Sequence, residues 1–151
     1  MMCYLGLGSN MGDRKEEIRK AISYLSSNPR INVLKESTII ETEPIGNINQ
    51  PKFLNCALKI ETDLDAVILL KTCLNIEFNM GRIRTRKWEP RIIDIDILFY
   101  GKQVIDEGYI TIPHTELHRR EFVMRSLNEI CPDFEHPVLK KRMKDIFMEL
   151  K

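Results

Sequence analysis

The stretch Ile92-Ile93-Asp94-Ile95-Asp96-Ile97-Leu98-Phe99-Tyr100 carries the clearest chemical signal in the chain. Read as a strand with a period of two, it puts Ile93, Ile95, Ile97 and Phe99 on one face and Asp94 and Asp96 on the other. Like charges about 6.6–6.8 Å apart along one strand face repel each other unless a cation lies between them. Hard carboxylate oxygens with no His or Cys nearby suit Mg²⁺, which keeps waters and adds substrate phosphates. A solvent-facing strand with an acidic side is the plainer account. The segment just before it argues for chemistry: Arg82, Arg84, Arg86, Lys87 and Arg91 stand against the single carboxylate of Glu89. A polyphosphate held between guanidinium forks and Mg²⁺ would use both features. Trp88 could add a stacking face. Solvated loop charge is otherwise the usual reading of a basic run. His114 and His118-Arg119-Arg120 could form a second phosphate-facing edge.

A second cluster joins Glu43-Pro44-Ile45-Gly46 to Gln50-Pro51-Lys52-Phe53-Leu54-Asn55. A proline-stiffened loop beside an aromatic and an amide suits a flat heterocycle. Phe53 offers a ring face, and Asn55 offers both donor and acceptor. The competing reading places Phe53 in the core at the start of a strand. The run Gly6 to Gly12 has the spacing GxGxxxG and lacks the acidic residue of a dinucleotide fingerprint. No Walker A motif is present, so any ATP is bound without a P-loop.

The elements that must position these residues follow from pattern. Cys3, Leu5 and Leu7 alternate with Tyr4, Gly6 and Gly8, giving a strand that ends in a Gly-rich turn. Asp13 with Glu16 resembles a capping box, and Ile18, Ala21, Ile22 and Leu25 form one helical face up to Asn28-Pro29. Residues 31–43 and 53–62 read as strands. Asp65 caps a second helix that stops at Gly81. The strand to Tyr100 precedes a small hairpin over 103–106 and 109–112. Helices are expected over 117–131 and 142–150. The order β-α-β-β-α-β is that of an α+β, ferredoxin-like sandwich, mainly antiparallel, with helices packed on the sheet and C-terminal additions.

Composition bounds the rest. The 151 residues are 43% hydrophobic, with 23 Lys+Arg against 22 Asp+Glu, a length and balance that fit one domain over 1–151. A net charge of +1 excludes a generally basic nucleic-acid coat protein. No apolar run approaches the ~18 residues of a membrane span, and the N-terminus lacks a signal-peptide pattern. The expected location is the cytoplasm. Cys3, Cys56, Cys73 and Cys131 have no metal-binding spacing and read as small hydrophobes.

Taken in order, these segments resemble the 6-hydroxymethyl-7,8-dihydropterin pyrophosphokinase family of folate biosynthesis. The likeness runs through Leu7-Gly8-Ser9-Asn10, Thr42 to Gly46, Gln50 to Asn55, Glu77 and the arginine loop. Its most specific part is Trp88-Glu89-Pro90-Arg91-Ile92-Ile93-Asp94-Ile95-Asp96-Ile97-Leu98, continued by Pro113-His114, Arg120 and Phe122.

The resemblance implies transfer of the β,γ-pyrophosphoryl group of ATP to the pterin hydroxymethyl oxygen, with AMP leaving. It implies two Mg²⁺ ions on Asp94 and Asp96, and Arg82 and Arg91 steadying charge in the transition state. Glu77, Arg84, Lys87, Trp88, Arg91, Ile97, His114 and Arg120 fall to the ATP side; whether Arg86 or Lys87 faces the phosphates stays open. Thr42, Pro44, Ile45, Phe53, Asn55, Trp88 and Phe122 fall to the pterin, with Phe53 and Phe122 as a sandwich. Glu89 stands where the family usually has Gly, Phe53 where it usually has Tyr, and the arginine loop is one residue shorter than in some members. The loop from Gly81 to Pro90 is expected to be open in the free protein and to close over ligands.

The alternative is a ferredoxin-like RNA-binding or nucleotide-sensing module without catalysis. Against it, Asp94 and Asp96 occupy the strand where RNA-binding sheets place stacking aromatics. The expected partners are therefore ATP and a pterin, with no nucleic acid or membrane, and the chain is expected to be a monomer.

Overall fold

The computed structural model describes residues 1–44, 49–82 and 90–150. Five strands of its main sheet and two helices follow the expected order: β1 (Met2–Ser9), α1 (Arg14–Ser27), β2 (Ile31–Glu36), β3 (Ile40–Thr42), β4 (Phe53–Thr62), α2 (Ala66–Asn79) and β5 (Asp94–Tyr100). The sheet runs β2-β4-β1-β5, with β3 continuing beside β4, and every neighbouring pair is antiparallel.

Local chemistry sets the helix ends. The Asp13 carboxylate accepts the Glu16 N–H at the start of α1, and Asp65 accepts the Ile68 N–H at the start of α2. At the end of α2, Gly81 takes φ +91°. Its N–H donates to the Phe78 carbonyl while the Arg82 N–H donates to the Glu77 carbonyl, the bond pair of a Schellman turn. That turn points Arg82 back toward Glu77.

The strand expected over 31–43 is divided. Ser37 interrupts it, its N–H donating to the Ala57 carbonyl and its hydroxyl accepting the Ala57 N–H at 2.7 Å. The pairing moves from Glu36↔Leu58 to Ile40↔Asn55, so the crossing holds one residue more than the β4 segment opposite it.

A second irregularity corrects the face assignment of β5. Leu5 pairs with Ile97 but Tyr4 pairs with Phe99, leaving Leu98 as an extra residue. Beyond this bulge the alternation reverses. Ile93, Ile95 and Ile97 pack with α1 and α2, as expected, whereas Phe99 joins Leu98 on the opposite face.

The C-terminal additions cover that opposite face. After a hairpin of β6 (Ile105–Asp106) and β7 (Thr111–Ile112) come α3 (Glu121–Ile130) and α4 (Met143–Glu149). The helix expected over 117–131 is instead a 3-10 turn, Leu117–Arg119, followed by α3, because Arg120 is extended at φ −101°, ψ 107°. Tyr4, Ala57, Leu98 and Phe99 from the sheet meet Met124, Leu127, Met143 and Phe147 in a second core. Helices thus lie on both faces. All four cysteines are free and buried, and burial pushes the Cys56, Cys73 and Cys131 thiols up to about 12.

Candidate active site

Between the sheet and α3 lies a cleft with about 870 Å³ of empty space, counting the part open to solvent. Glycine creates it. On β1 the positions facing this side are Tyr4, Gly6 and Gly8; Tyr4 fills the second core, and the two glycines leave a trough. A Cβ on Gly8 would sit 2.7 Å from the Asn55 Oδ1. The trough is flanked by Phe53, Asn55 and Ala57 of β4 and by Asp94, Asp96 and Leu98 of β5. Arg120, Phe122, Val123 and Ser126 form the roof, and Thr42, Arg91 and His114 stand at the edges.

One side suits a flat heterocycle. Phe53 and Phe122 line the same space from sheet and roof. The Asn55 amide donates to the Thr42 hydroxyl, which orients it and leaves its carbonyl oxygen above Gly8.

The other side concentrates charge. Asp94 Oδ1 is 3.0 Å from Arg82 Nη1, and its Oδ2 is 3.3 Å from Arg91 Nη1. Arg82 Nη1 also lies 2.9 Å from Glu77 Oε1, while Glu77 Oε2 accepts the Ile95 N–H at 2.8 Å. Among the described residues no side chain pairs directly with Asp96. Burial first, then the charges of Asp94 and Glu77, push its carboxyl up to about 7 against the opposing pull of Arg82 and Arg91. This surplus of hard oxygen charge on a cleft floor fits Mg²⁺, which takes few protein carboxylates and completes its shell elsewhere. His114 Nδ1 is buried with no partner among the described residues, and burial followed by the charge of Arg120 lowers the pKa of the ring.

The structure brings together Thr42, Phe53, Asn55, Arg91, Asp94, Asp96, His114, Arg120 and Phe122 around one cleft. Arg82 reaches it from behind through Asp94. Glu77 is 3% exposed and holds Arg82 and the β5 backbone rather than lining the cleft. The Ile97 side chain belongs to the core on the far face and does not line the cleft. Pro44 is buried beside the site. Ile45, Arg84, Lys87 and Trp88 lie outside the described residues, as do Arg86, Glu89 and the rest of positions 83–89 in the loop expected to close.

One residue that pattern did not single out joins the two sides. Asn10 is buried, and its Nδ2 donates to Gln50 Oε1 at 2.7 Å and to the Pro51 carbonyl at 3.0 Å. Its Oδ1 accepts the Arg91 N–H at 2.9 Å, and its own N–H donates to the Arg91 carbonyl. A single amide therefore fixes the approach of both site loops. A polar residue ending an apolar strand was the available signal.

Comparison with known proteins shows what the chain is similar to. The family model described as 7,8-dihydro-6-hydroxymethylpterin-pyrophosphokinase (HPPK) matches residues 4–132. The chain is 46% identical over 131 residues to the 2-amino-4-hydroxy-6-hydroxymethyldihydropteridine pyrophosphokinase of Methylorubrum extorquens, covering 86% of this chain and 82% of that protein. It is 42% identical over 149 residues to the folic acid synthesis protein fol1 of Schizosaccharomyces pombe, covering 99% of this chain but only 20% of that protein. A crystal structure of Plasmodium falciparum HPPK-DHPS superposes with a TM-score of 0.79 at 17% identity, over 98% of this chain and 45% of that one. That last likeness is one of fold.

Proposed function

The chain belongs to the 7,8-dihydro-6-hydroxymethylpterin-pyrophosphokinase family, and from that premise we propose that its cleft carries out the family's reaction. ATP gives its β,γ-pyrophosphoryl group to the hydroxymethyl oxygen of 6-hydroxymethyl-7,8-dihydropterin, and AMP leaves. The observation that carries this reading is a heterocycle pocket and an acidic pair on the same cleft floor, separated by a single glycine strand.

Phe53 and Phe122 stack on the two faces of the pterin, and Asn55, held by Thr42, reads its edge. By the family resemblance, Pro44 and Ile45 would line the pocket. Asp94 and Asp96 would hold two Mg²⁺ ions, which supply neutralisation of the triphosphate and lower the pKa of the attacking hydroxyl. Arg82 and Arg91, paired with Asp94 here, would turn to phosphate oxygens of the bound triphosphate. Arg84, Lys87, Trp88, His114 and Arg120 complete the nucleotide side, with the backbone at Ile97. Glu77 contributes by steering Arg82. Alignment and charge neutralisation are the main demands of such a transfer, and no protein nucleophile is needed.

We also assign residues 1–151 to one pyrophosphokinase domain that works as a cytoplasmic monomer on small molecules. Among the described residues no helix is long and apolar enough to cross a membrane. The non-catalytic RNA-binding or sensing alternative finds no support in the family match. The test is AMP release from ATP, followed with and without the dihydropterin and Mg²⁺. Dependence on both is expected; release of ADP, or AMP formation indifferent to the pterin, would contradict the assignment.

A further inference from the structure

Arg14 breaks a local rule. It is the first residue of α1, where free backbone N–H groups make the helix end positive and a cation is unfavourable. Its guanidinium turns away from the helix. The Nη1 atom donates to the Lys52 carbonyl at 2.8 Å and lies 3.1 Å from Glu41 Oε2. These partners stand on opposite stems of the segment 43–52. Glu41 sits in β3 beside Thr42, and Lys52 immediately precedes Phe53, the residue paired with Thr42.

We propose that Arg14 is a positioning residue for the pterin: one nitrogen ties both stems to the start of α1 and so sets the spacing of Thr42 from Phe53 and Asn55. Asn10 grips the same segment from β1 through Gln50 and Pro51, and Lys52 Nζ meets Glu43 Oε1 at 3.2 Å across the stems. Arg14 supplies the hold from the α1 side. An ordinary surface ion pair contributes little, but here one partner is a backbone carbonyl next to a pocket residue. Such a bond fixes chain position rather than side-chain charge alone.

The inference rests on the pterin reading above, and its test separates the two. Arg14→Met keeps the apolar stem and removes both contacts; Glu41→Gln removes only the ion pair. The readouts are KM for the dihydropterin at saturating MgATP, KM for MgATP at saturating pterin, kcat and the thermal midpoint, with wild type alongside. In Arg14→Met the pterin KM should rise about three- to fivefold, the scale of one exposed charged contact, with a smaller rise in Glu41→Gln. KM for MgATP should stay within about twofold, and the thermal midpoint should hold or rise as the helix end loses its cation. An unchanged pterin KM in Arg14→Met overturns the proposal, as does an equal loss for both substrates with a lowered midpoint. Wild-type protein that turns over no pterin at all overturns the underlying reading, and the positioning role with it.

Discussion

Asn55 and Asp94 lie in one row across the sheet, both in register with Gly8 on the strand between them. Two strand spacings put their backbones about 9–10 Å apart. The residue between them has no side chain to obstruct the line. That span is on the scale of a bicyclic ring with a one-carbon arm, the shape of the substrate proposed for this cleft. Ala57, Gly6 and Asp96 form the adjacent row in the same way.

Gly8→Ala tests this row. The new methyl would collide with the Asn55 Oδ1, and β1 is held on both edges, so the amide must give way. Losing one oriented hydrogen-bonding group costs about 0.5–1.5 kcal/mol, so the pterin KM should rise roughly three- to tenfold. MgATP binding should change far less. Titration calorimetry with each ligand checks the split, and equal weakening of both would show that the trough serves the nucleotide instead.

Asp96 makes a pH prediction. Its carboxyl is raised from 3.8 to about 7 in the fold, so the native state holds a proton that the unfolded chain releases. The stabilisation is complete below about pH 4 and is lost as pH climbs through about 7. In chelator, Asp96→Asn should therefore melt higher than wild type at about pH 8, with the gap closing toward about pH 4. Metal binding needs the carboxylate, so apparent Mg²⁺ affinity in the wild type should rise over the same range. A midpoint difference independent of pH would show that Asp96 is already ionised in the free protein.

Glu77 separates support from charge. Glu77→Ala strands the buried Ile95 N–H and removes one of the carboxylates held by Arg82, at a cost of about 1–3 kcal/mol in urea unfolding. Glu77→Gln keeps a carbonyl for Ile95 and should recover much of that stability. It leaves Arg82 with the Asp94 carboxylate alone among its described charged partners, so turnover should remain depressed in both variants. Full activity in Glu77→Gln would mean that Arg82 is oriented by Asp94 alone.

Much of the fold was legible because local signals agreed with tertiary placement. Asp13, Asp65 and Gly81 each did at a helix end what their types favour. The acidic pair was legible because period-two alternation holds up to Ile97. It fails at Leu98, where pairing with β1 inserts a bulge that no residue type announced, and Phe99 changes face. Ser37 is similar: its hydroxyl takes over a ladder bond of Ala57, an event fixed by the partner strand. Asn10 was legible only as part of the family likeness, and its role was hidden for the same reason, since its worth comes from Gln50, Pro51 and Arg91, all distant in sequence. Pattern also could not show that Glu77 pairs with Arg82 and accepts a β5 backbone N–H.

The most direct test of the central geometry is the crystal structure of the protein with 6-hydroxymethyl-7,8-dihydropterin, Mg²⁺ and an unreactive ATP analogue. The account predicts the pterin between the rings of Phe53 and Phe122, its edge on the Asn55 amide, and its hydroxymethyl arm crossing Gly8 toward Asp94 and Asp96. A pterin bound outside that gap, or with its hydroxymethyl group turned away from the two carboxylates, would contradict it.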